Sequence, residues 1–598
     1  MNSTSVGRNV ALVILLLVGS SSIAQVTTNL NPSIRAKSKI DFGFNRRSDN
    51  AQFFASADFK TILADLNPDV IRFPGGTQAN YWDWRTGAFI PETDKPDGNR
   101  EVVTIPTFIE VIPSRTKTVY VVNIARPTPA TGIDVNASEA VLKSQGTLEA
   151  KIDDMIAALD EFNRLGKTPY AVELGNEFYF GNEEAGIFET LEINGKWYSG
   201  WNSATNQPFE SNDKNEAIEI SARFYLQQCK EIVTAIKTKY PEVKIAMIGT
   251  KGGNGNSSRE SWNNTISSEL ENNPDYATLA TQIDAITQHH YLNENYGNQL
   301  PINDIASAKA AIAESIQYPI DKIDDYNRVP SPYKLWITEY GVTKPNADET
   351  WASGVRYAAL LYSWLARGDK VEQLHYQHLT DQPVLNSNGE LKLAPIGLAS
   401  RLIAQASAGM DEFQEIEFAN NPIAMDGLPA LYGFKFKSAA AEKLLIINID
   451  ESNINPVEFG NLFTYDGEQT LTRIHSNEPF VSPVFDGSDN IKTNSYIVDG
   501  SDSIRKFSIT MIEVKNTLSN ADQKAIDISI YPNPTDHMLY VRSIEPILSA
   551  EVFGVDGSVI IKKESHAGAI DISSLSSGIY FLRIQSNRGS QTLKFIKK

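Results

Sequence analysis

The sequence predicts an α/β fold in which eight parallel strands close into a (β/α)8 TIM barrel, followed by a β-sandwich domain and a small C-terminal all-β domain. Three observations carry it. Between Lys39 and Met410 short apolar runs alternate with amphipathic helical patterns, the signature of parallel strands joined by crossovers. No glycine-rich phosphate loop follows the first run, which disfavours the alternative of an open, doubly wound sheet. Polar residues of catalytic type gather where several of the runs end, and in such a barrel that end carries function.

Taken in order, residues 1–24 read as a secretory signal. Arg8 supplies the positive start, Val10 to Val18 the apolar stretch and Ser22-Ile-Ala24 the small-residue cleavage site before Gln25. The apolar stretch is too short for the roughly 20 residues that a membrane span requires, so no span is expected in the mature chain. Residues 25–410 are assigned to the barrel. Its strands are expected at Ile40–Asn45, Val70–Pro74, Val119–Ile124, Tyr170–Leu174, Lys244–Gly249, Ala285–His290, Leu335–Thr338 and Val371–Tyr376. Helices are expected at Phe59–Leu66, Leu148–Leu165, Ala217–Tyr240, Ala306–Tyr326, Ala352–Ala366 and Pro395–Met410. Apolar residues there recur at three- and four-residue spacing, as in Ile152, Met155, Ile156 and Leu159. The stretch from Phe178 to Asn215 reads as one long loop rich in aromatic residues, among them Trp197, Tyr198 and Trp201.

From 411 to 517 the pattern shifts to short alternating runs, including Leu431–Phe436, Lys443–Ile449 and Lys506–Val514, as in a sandwich. The segment before Lys39 is a candidate extra strand for it. Polar residues 518–526 form a linker, and 527–598 a separate small β unit.

The 598 residues carry a net charge of −19, with 41% hydrophobic and 21% charged residues. That balance is globular and argues against a nucleic-acid partner, which calls for a basic surface. Cys229 is the only cysteine, so no intramolecular disulfide can form; it falls in a helical pattern and reads as a small buried residue. The seven histidines lack ligand-like spacing, so no metal site is expected.

Two of the predicted strands end on carboxylates. Strand four runs Tyr170-Ala-Val-Glu-Leu-Gly-Asn-Glu177 and strand seven Lys334-Leu-Trp-Ile-Thr-Glu-Tyr-Gly341. Packing alone gives no reason to end strands on Asn176–Glu177 and Glu339. Two glutamates facing each other across a barrel mouth are the minimum equipment for glycoside hydrolysis, one to protonate the leaving oxygen and one to attack the anomeric carbon. Their environments must differ, the acid kept protonated and the nucleophile ionised. Arg72, ending strand two, is the candidate cation for Glu339, and Tyr291, ending strand six, a candidate donor to the same group. Asn176 can hold a sugar hydroxyl. His289, His290, Trp82 and Trp336 complete the substrate-binding candidates. Protonation and carboxylate attack require no cofactor. Asp153, Asp154, Asp160 and Glu161 lie in a helix and read as a solvated face.

Together these segments resemble the clan of retaining (β/α)8 glycoside hydrolases. Arg72-Phe-Pro-Gly-Gly-Thr77 with Tyr81-Trp-Asp-Trp-Arg-Thr-Gly87 is similar to the family 51 arabinofuranosidases. Glu173-Leu-Gly-Asn-Glu177 and His289-His-Tyr-Leu-Asn293 are closer to the heparanase and β-glucuronidase group of family 79. The resemblance implies Glu177 as acid/base, Glu339 as nucleophile, and Asn176, Arg72 and Tyr291 around the donor sugar of a plant, algal or host polysaccharide or oligosaccharide. Phe178 departs from the pattern, standing where a proline often follows the acid/base. The tail segments Ile528-Ser-Ile-Tyr-Pro-Asn-Pro-Thr535 and Leu575-Ser-Ser-Gly-Ile-Tyr-Phe-Leu-Arg583 resemble a type IX secretion sorting domain. That implies the type IX machinery as a partner and export, through periplasm and outer membrane, to a secreted or surface-attached state. A glycan-binding protein on a decayed barrel should have lost a glutamate or Arg72, and all three are present. A polysaccharide lyase would call for a base and a charge-neutralising group in place of paired carboxylates.

Overall fold

A computed structural model describes residues 25–45, 51–54, 56–80, 82–89, 103–124, 148–177, 190–193, 195–202, 207–251, 257–292, 302, 304–322, 329–330, 332–342, 350–377, 379, 384–387, 390–425, 427–481, 490–516, 528–543, 547–555, 557–564, 568–586 and 589–598. The expected signal segment, the whole linker 518–526 and Phe178 lie outside them.

Eight parallel strands close into a barrel. They are β1 (Asp41–Asn45), β2 (Val70–Phe73), β3 (Lys117–Val121), β4 (Ala171–Glu173), β5 (Lys244–Ile248), β6 (Ala285–Leu292), β7 (Lys334–Val342) and β8 (Val371–Tyr376), with β8 pairing back to β1. A helix follows each strand: α1 (Ala57–Leu66), α2 (Ile105–Val111), α3 (Leu148–Arg164), α4 (Lys214–Lys239), α5 (Ser257–Asn272), α6 (Ile305–Asp321), α7 (Trp351–Leu365) and α8 (Pro395–Ser407). Two were not expected. α2 is too short to display a period, and α5 is mostly polar, its buried stripe reduced to Trp262, Ile266 and Leu270.

Strand alternation sorts the barrel into two layers. Val70, Val119, Ala171, Ala246, Ala285 and Trp336 point inward and pack as one cluster, while Ile71, Phe73, Tyr120, Val172 and Ile286 point outward to the helices. Small alanines on three strands leave room for the Trp336 indole, which fills the interior beneath the mouth.

The supposed loop after β4 holds a three-stranded antiparallel sheet of Thr190–Ile193, Lys196–Asn202 and Gln207–Ser211, set against α4. Its aromatic side chains lie outside the description. The polar, glycine-punctuated sequence had concealed its alternation.

β9 (Glu412–Ala419), β10 (Leu431–Lys437), β11 (Ala441–Asn448), β12 (Gln469–Ser476), β13 (Ile491–Val498) and β14 (Ser508–Lys515) form one antiparallel sheet, which Thr27–Leu30 and Arg35–Ala36 extend by pairing with β9. The segment before the barrel thus belongs to this sheet. One face packs on the barrel helices through Phe413, Phe434, Phe436 and Leu445; the other covers a second cluster including Leu444, Ile446, Leu471 and Ile512. α7 is the join. Every residue from Trp351 to Leu365 is buried, as suits a helix sandwiched between barrel and sheet. Trp351 Nε1–H donates to the Phe507 carbonyl at 2.6 Å across that boundary.

The tail holds a three-stranded and a four-stranded sheet around its own core of Leu539, Val552, Leu582, Ile584 and Phe595. Cys229 is buried in α4, as expected, and burial pushes its thiol up, away from the reactive form. Among the described residues no helix is long and apolar enough to cross a membrane.

Candidate active site

Arg72 is the centre of the mouth. It points inward from β2, is fully buried, and all five of its N–H groups are used. Nε donates to Glu173 Oε2 (2.6 Å) and Nη2 to Glu173 Oε1 (3.1 Å) and Asn176 Oδ1 (2.8 Å). Nη1 donates to Asn45 Oδ1 (3.1 Å) and Glu339 Oε1 (2.7 Å). Asn45 is its register partner on β1. Burial alone would lower the guanidinium, but Glu173 and Glu339 outweigh it and raise it, so the charge is permanent.

Glu339 reaches this centre through a bulge. Along β6, Gln288 pairs with Ile337 and His289 with Glu339, so β7 carries one extra residue between them. Trp336 points in and Ile337 out; after the bulge both Thr338 and Glu339 face the interior and Tyr340 turns outward again. Re-aiming a side chain beside a site is a recurrent use of a β-bulge. Opposite, the chain leaves β4 through Gly175 (φ 91°) and Glu177 (φ 55°). A left-handed glutamate is uncommon, and such backbone costs about 1–3 kcal/mol, so it persists where the surroundings hold it. α4 braces this end: the Tyr225 hydroxyl donates to Leu174 O (2.9 Å) and accepts from Ile248 N (3.0 Å).

Across the mouth, ligand-type atoms of Glu177, His289 and Glu339 all lie within 4.8 Å of one another. His289 Nδ1 is 2.6 Å from Glu177 Oε1 and 3.6 Å from Glu339 Oε2. The Tyr291 hydroxyl donates to Glu339 Oε2. Burial raises the Tyr291 phenol, and the charges of Glu339 and Glu177 add to that, so it stays a donor. Burial alone would lower His289; the carboxylates of Glu339 and Glu177 outweigh it and raise the ring. Inward-facing His375 on β8 is held well below its ordinary value by burial and then by Arg72, and is neutral.

Of the expected site residues the structure brings together Arg72, Asn176, Glu177, His289, Tyr291 and Glu339. It sets the other three elsewhere. His290, one residue on from inward-facing His289, points to the helices, its ring 4.9 Å from Trp364 and 6.0 Å from Tyr318. Trp82 is buried edge-on against Phe73 and Tyr120, in the strand–helix layer. Trp336 is fully buried in the layer beneath the mouth, its indole donating to Glu372 at 3.2 Å. The side chains of all three pack within the fold, His290 and Trp82 between strands and helices and Trp336 inside the barrel. Glu173 and Thr338 were missed. Their signal was present: Glu173 shares the inward parity of Ala171 and faces Arg72, and a charge inside a buried apolar run has to have a partner.

Solved structures share this fold. The α-L-arabinofuranosidase of Thermotoga maritima, in an arabinose complex, aligns with a TM-score of 0.55 at 14% identity, covering 82% of this chain and 99% of its own. The 4-O-α-L-rhamnosyl-β-D-glucuronidase of Fusarium oxysporum gives 0.51 at 12%, covering 81% and 99%. A family 44 endoglucanase from Clostridium gives 0.52 at 12%, covering 82% and 100%. The barrel with its β sheet thus shares the fold of these three glycoside hydrolases. No curated protein sequence matches the chain. Residues 529–598 match the family described as a secretion system C-terminal sorting domain, which marks the chain for type IX export to the cell surface or beyond.

Proposed function

We propose that this chain is an exported retaining glycoside hydrolase. The observation that carries the reading is the close approach of the two carboxylates, one oxygen of Glu177 lying within 4.8 Å of one of Glu339. Retaining enzymes hold the pair about 5–5.5 Å apart, whereas inverting ones leave about 6.5–9.5 Å for a water. Glu339, held by Arg72 and Tyr291, is the nucleophile. Glu177 protonates the leaving oxygen as the glycosidic C–O bond breaks, then takes a proton from the water that releases the glycosyl group from Glu339. The Asn176 amide is oriented by Arg72, which leaves Nδ2, buried and with no hydrogen-bond partner among the described residues, to donate to a sugar hydroxyl. Arabinofuranosidase-like or glucuronidase-like specificity on a plant, algal or host polysaccharide follows from the motifs and the fold relatives. We assign residues 25–410 to the barrel unit, 411–517 to the β unit and 527–598 to the export tail, with Thr27–Leu30 crossing to the β unit.

The test uses Glu339→Ala on aryl α-L-arabinofuranosides and aryl β-D-glucuronides. Turnover of whichever series the wild type cleaves should fall by at least about 10⁴-fold, and azide should restore it by standing in for the carboxylate. Near-wild-type turnover by the variant would remove Glu339 from the nucleophile role.

A further inference from the structure

The hydrogen bonds behind the two carboxylates run in one direction, and that direction starts at Glu173. Both Glu173 oxygens face N–H groups of Arg72, at 2.6 and 3.1 Å, so Glu173 offers only lone pairs. Thr338 Oγ1 lies 3.2 Å from Glu173 Oε1 and must be the donor in that pair. Its one hydrogen being committed, the same oxygen can only accept from His289 Nε2, 3.2 Å away. Nε2 therefore carries a hydrogen. In the neutral ring Nδ1 is then a bare lone pair, 2.6 Å from Glu177 Oε1, and two lone pairs cannot meet at that distance without a proton between them.

We infer that Glu173, acting through Thr338, is a positioning residue that selects the Nε2–H form of His289 and so keeps one proton on the Glu177–His289 pair. The inference rests on the acid/base reading of Glu177. It explains why a third, deeply buried glutamate stands behind the two that react. Without the Glu173–Thr338 arm, the ring could carry its hydrogen on Nδ1 and donate to an ionised Glu177, which then has no proton for the leaving oxygen. The other charged or titratable groups facing His289 are Glu339 from β7, Arg72 from β2 and His375 from β8, with Tyr291 on the same strand sharing Glu339.

The test compares Thr338→Val, Thr338→Ser and Glu173→Gln in the full chain, using methyl and 2,4-dinitrophenyl glycosides of the sugar cleaved above. A methyl leaving group requires protonation; dinitrophenolate does not. Thr338→Val should lose roughly 10- to 100-fold in kcat/KM on the methyl glycoside and less than about 3-fold on the dinitrophenyl one, part of the 10²–10⁴-fold span of general acid catalysis. The alkaline limb of its pH profile should move to lower pH, and Thr338→Ser should restore both. Glu173→Gln should follow Thr338→Val if it folds. Equal losses on both substrates with an unmoved alkaline limb would overturn the inference and leave Thr338 a packing residue. A separate control guards the premise: Glu177→Ala must itself discriminate between the two leaving groups, and if it does not, it is the acid/base reading that fails.

Discussion

Glu339 at the barrel mouth and Glu442 in the β sheet are both buried carboxylates beside a cation, and they are satisfied in different ways. Glu442 accepts from Lys435 Nζ (2.7 Å), Thr464 N (2.6 Å), Thr464 Oγ1 (2.7 Å) and Tyr465 N (3.1 Å). Burial alone would raise it, but the hydrogen bonds of Lys435 and Thr464 outweigh that and hold it at about 2. Its donors all come from the protein. Glu339 instead shares its cation: one guanidinium faces two buried carboxylates, Glu173 and Glu339, with Glu177 close by. Around it the Nδ2 atoms of Asn45 and Asn176 are buried without partners among the described residues. A cluster that serves stability satisfies its polar atoms internally. One that serves chemistry leaves donors and negative charge for a ligand to complete.

Breaking each cluster should expose the difference. Arg72→Gln leaves Glu173 and Glu339 buried without their cation. It should cost roughly 3–5 kcal/mol in urea unfolding and abolish turnover even in the folded fraction. A folded, active variant would mean that Arg72 is no more than a surface-like pair. Glu442→Gln keeps the shape but not the charge. It should cost less, about 1.5–3 kcal/mol, with turnover per folded molecule unchanged; lost turnover would blur the distinction between the clusters. The pH dependence sharpens it further. Glu442 titrates at about 2 when folded and near 4.3 when unfolded, so its stabilisation is fully present above about 4.3 and is lost as pH falls toward 2. Unfolding curves of Glu442→Gln should lack that acid-side segment.

The barrel was legible because its strands are buried on both faces and read as apolar runs, and the candidate carboxylate pair because carboxylates at strand ends have no packing rationale. What stayed hidden was parity and backbone. His289 and His290 are adjacent, and only the register with β7 tells which one points inward. The bulge that turns both Thr338 and Glu339 to the interior leaves no mark in composition, nor does the left-handed backbone of Glu177. Trp82 and Trp336 were ambiguous because an aromatic ring near a motif has the same sequence signal whether it stacks on a ligand or fills a layer. Glu173 was in plain view as a charge in a buried strand, overshadowed by the pair four residues on.

The most direct measurement is ¹H NMR of the sugar first released from a glycoside of known anomeric configuration, recorded before mutarotation. With one oxygen of Glu177 within 4.8 Å of one of Glu339, the proposed mechanism predicts two displacements at the anomeric carbon, so the first product should keep the configuration of the substrate. A first product of inverted configuration would contradict the double displacement and the roles assigned to both glutamates.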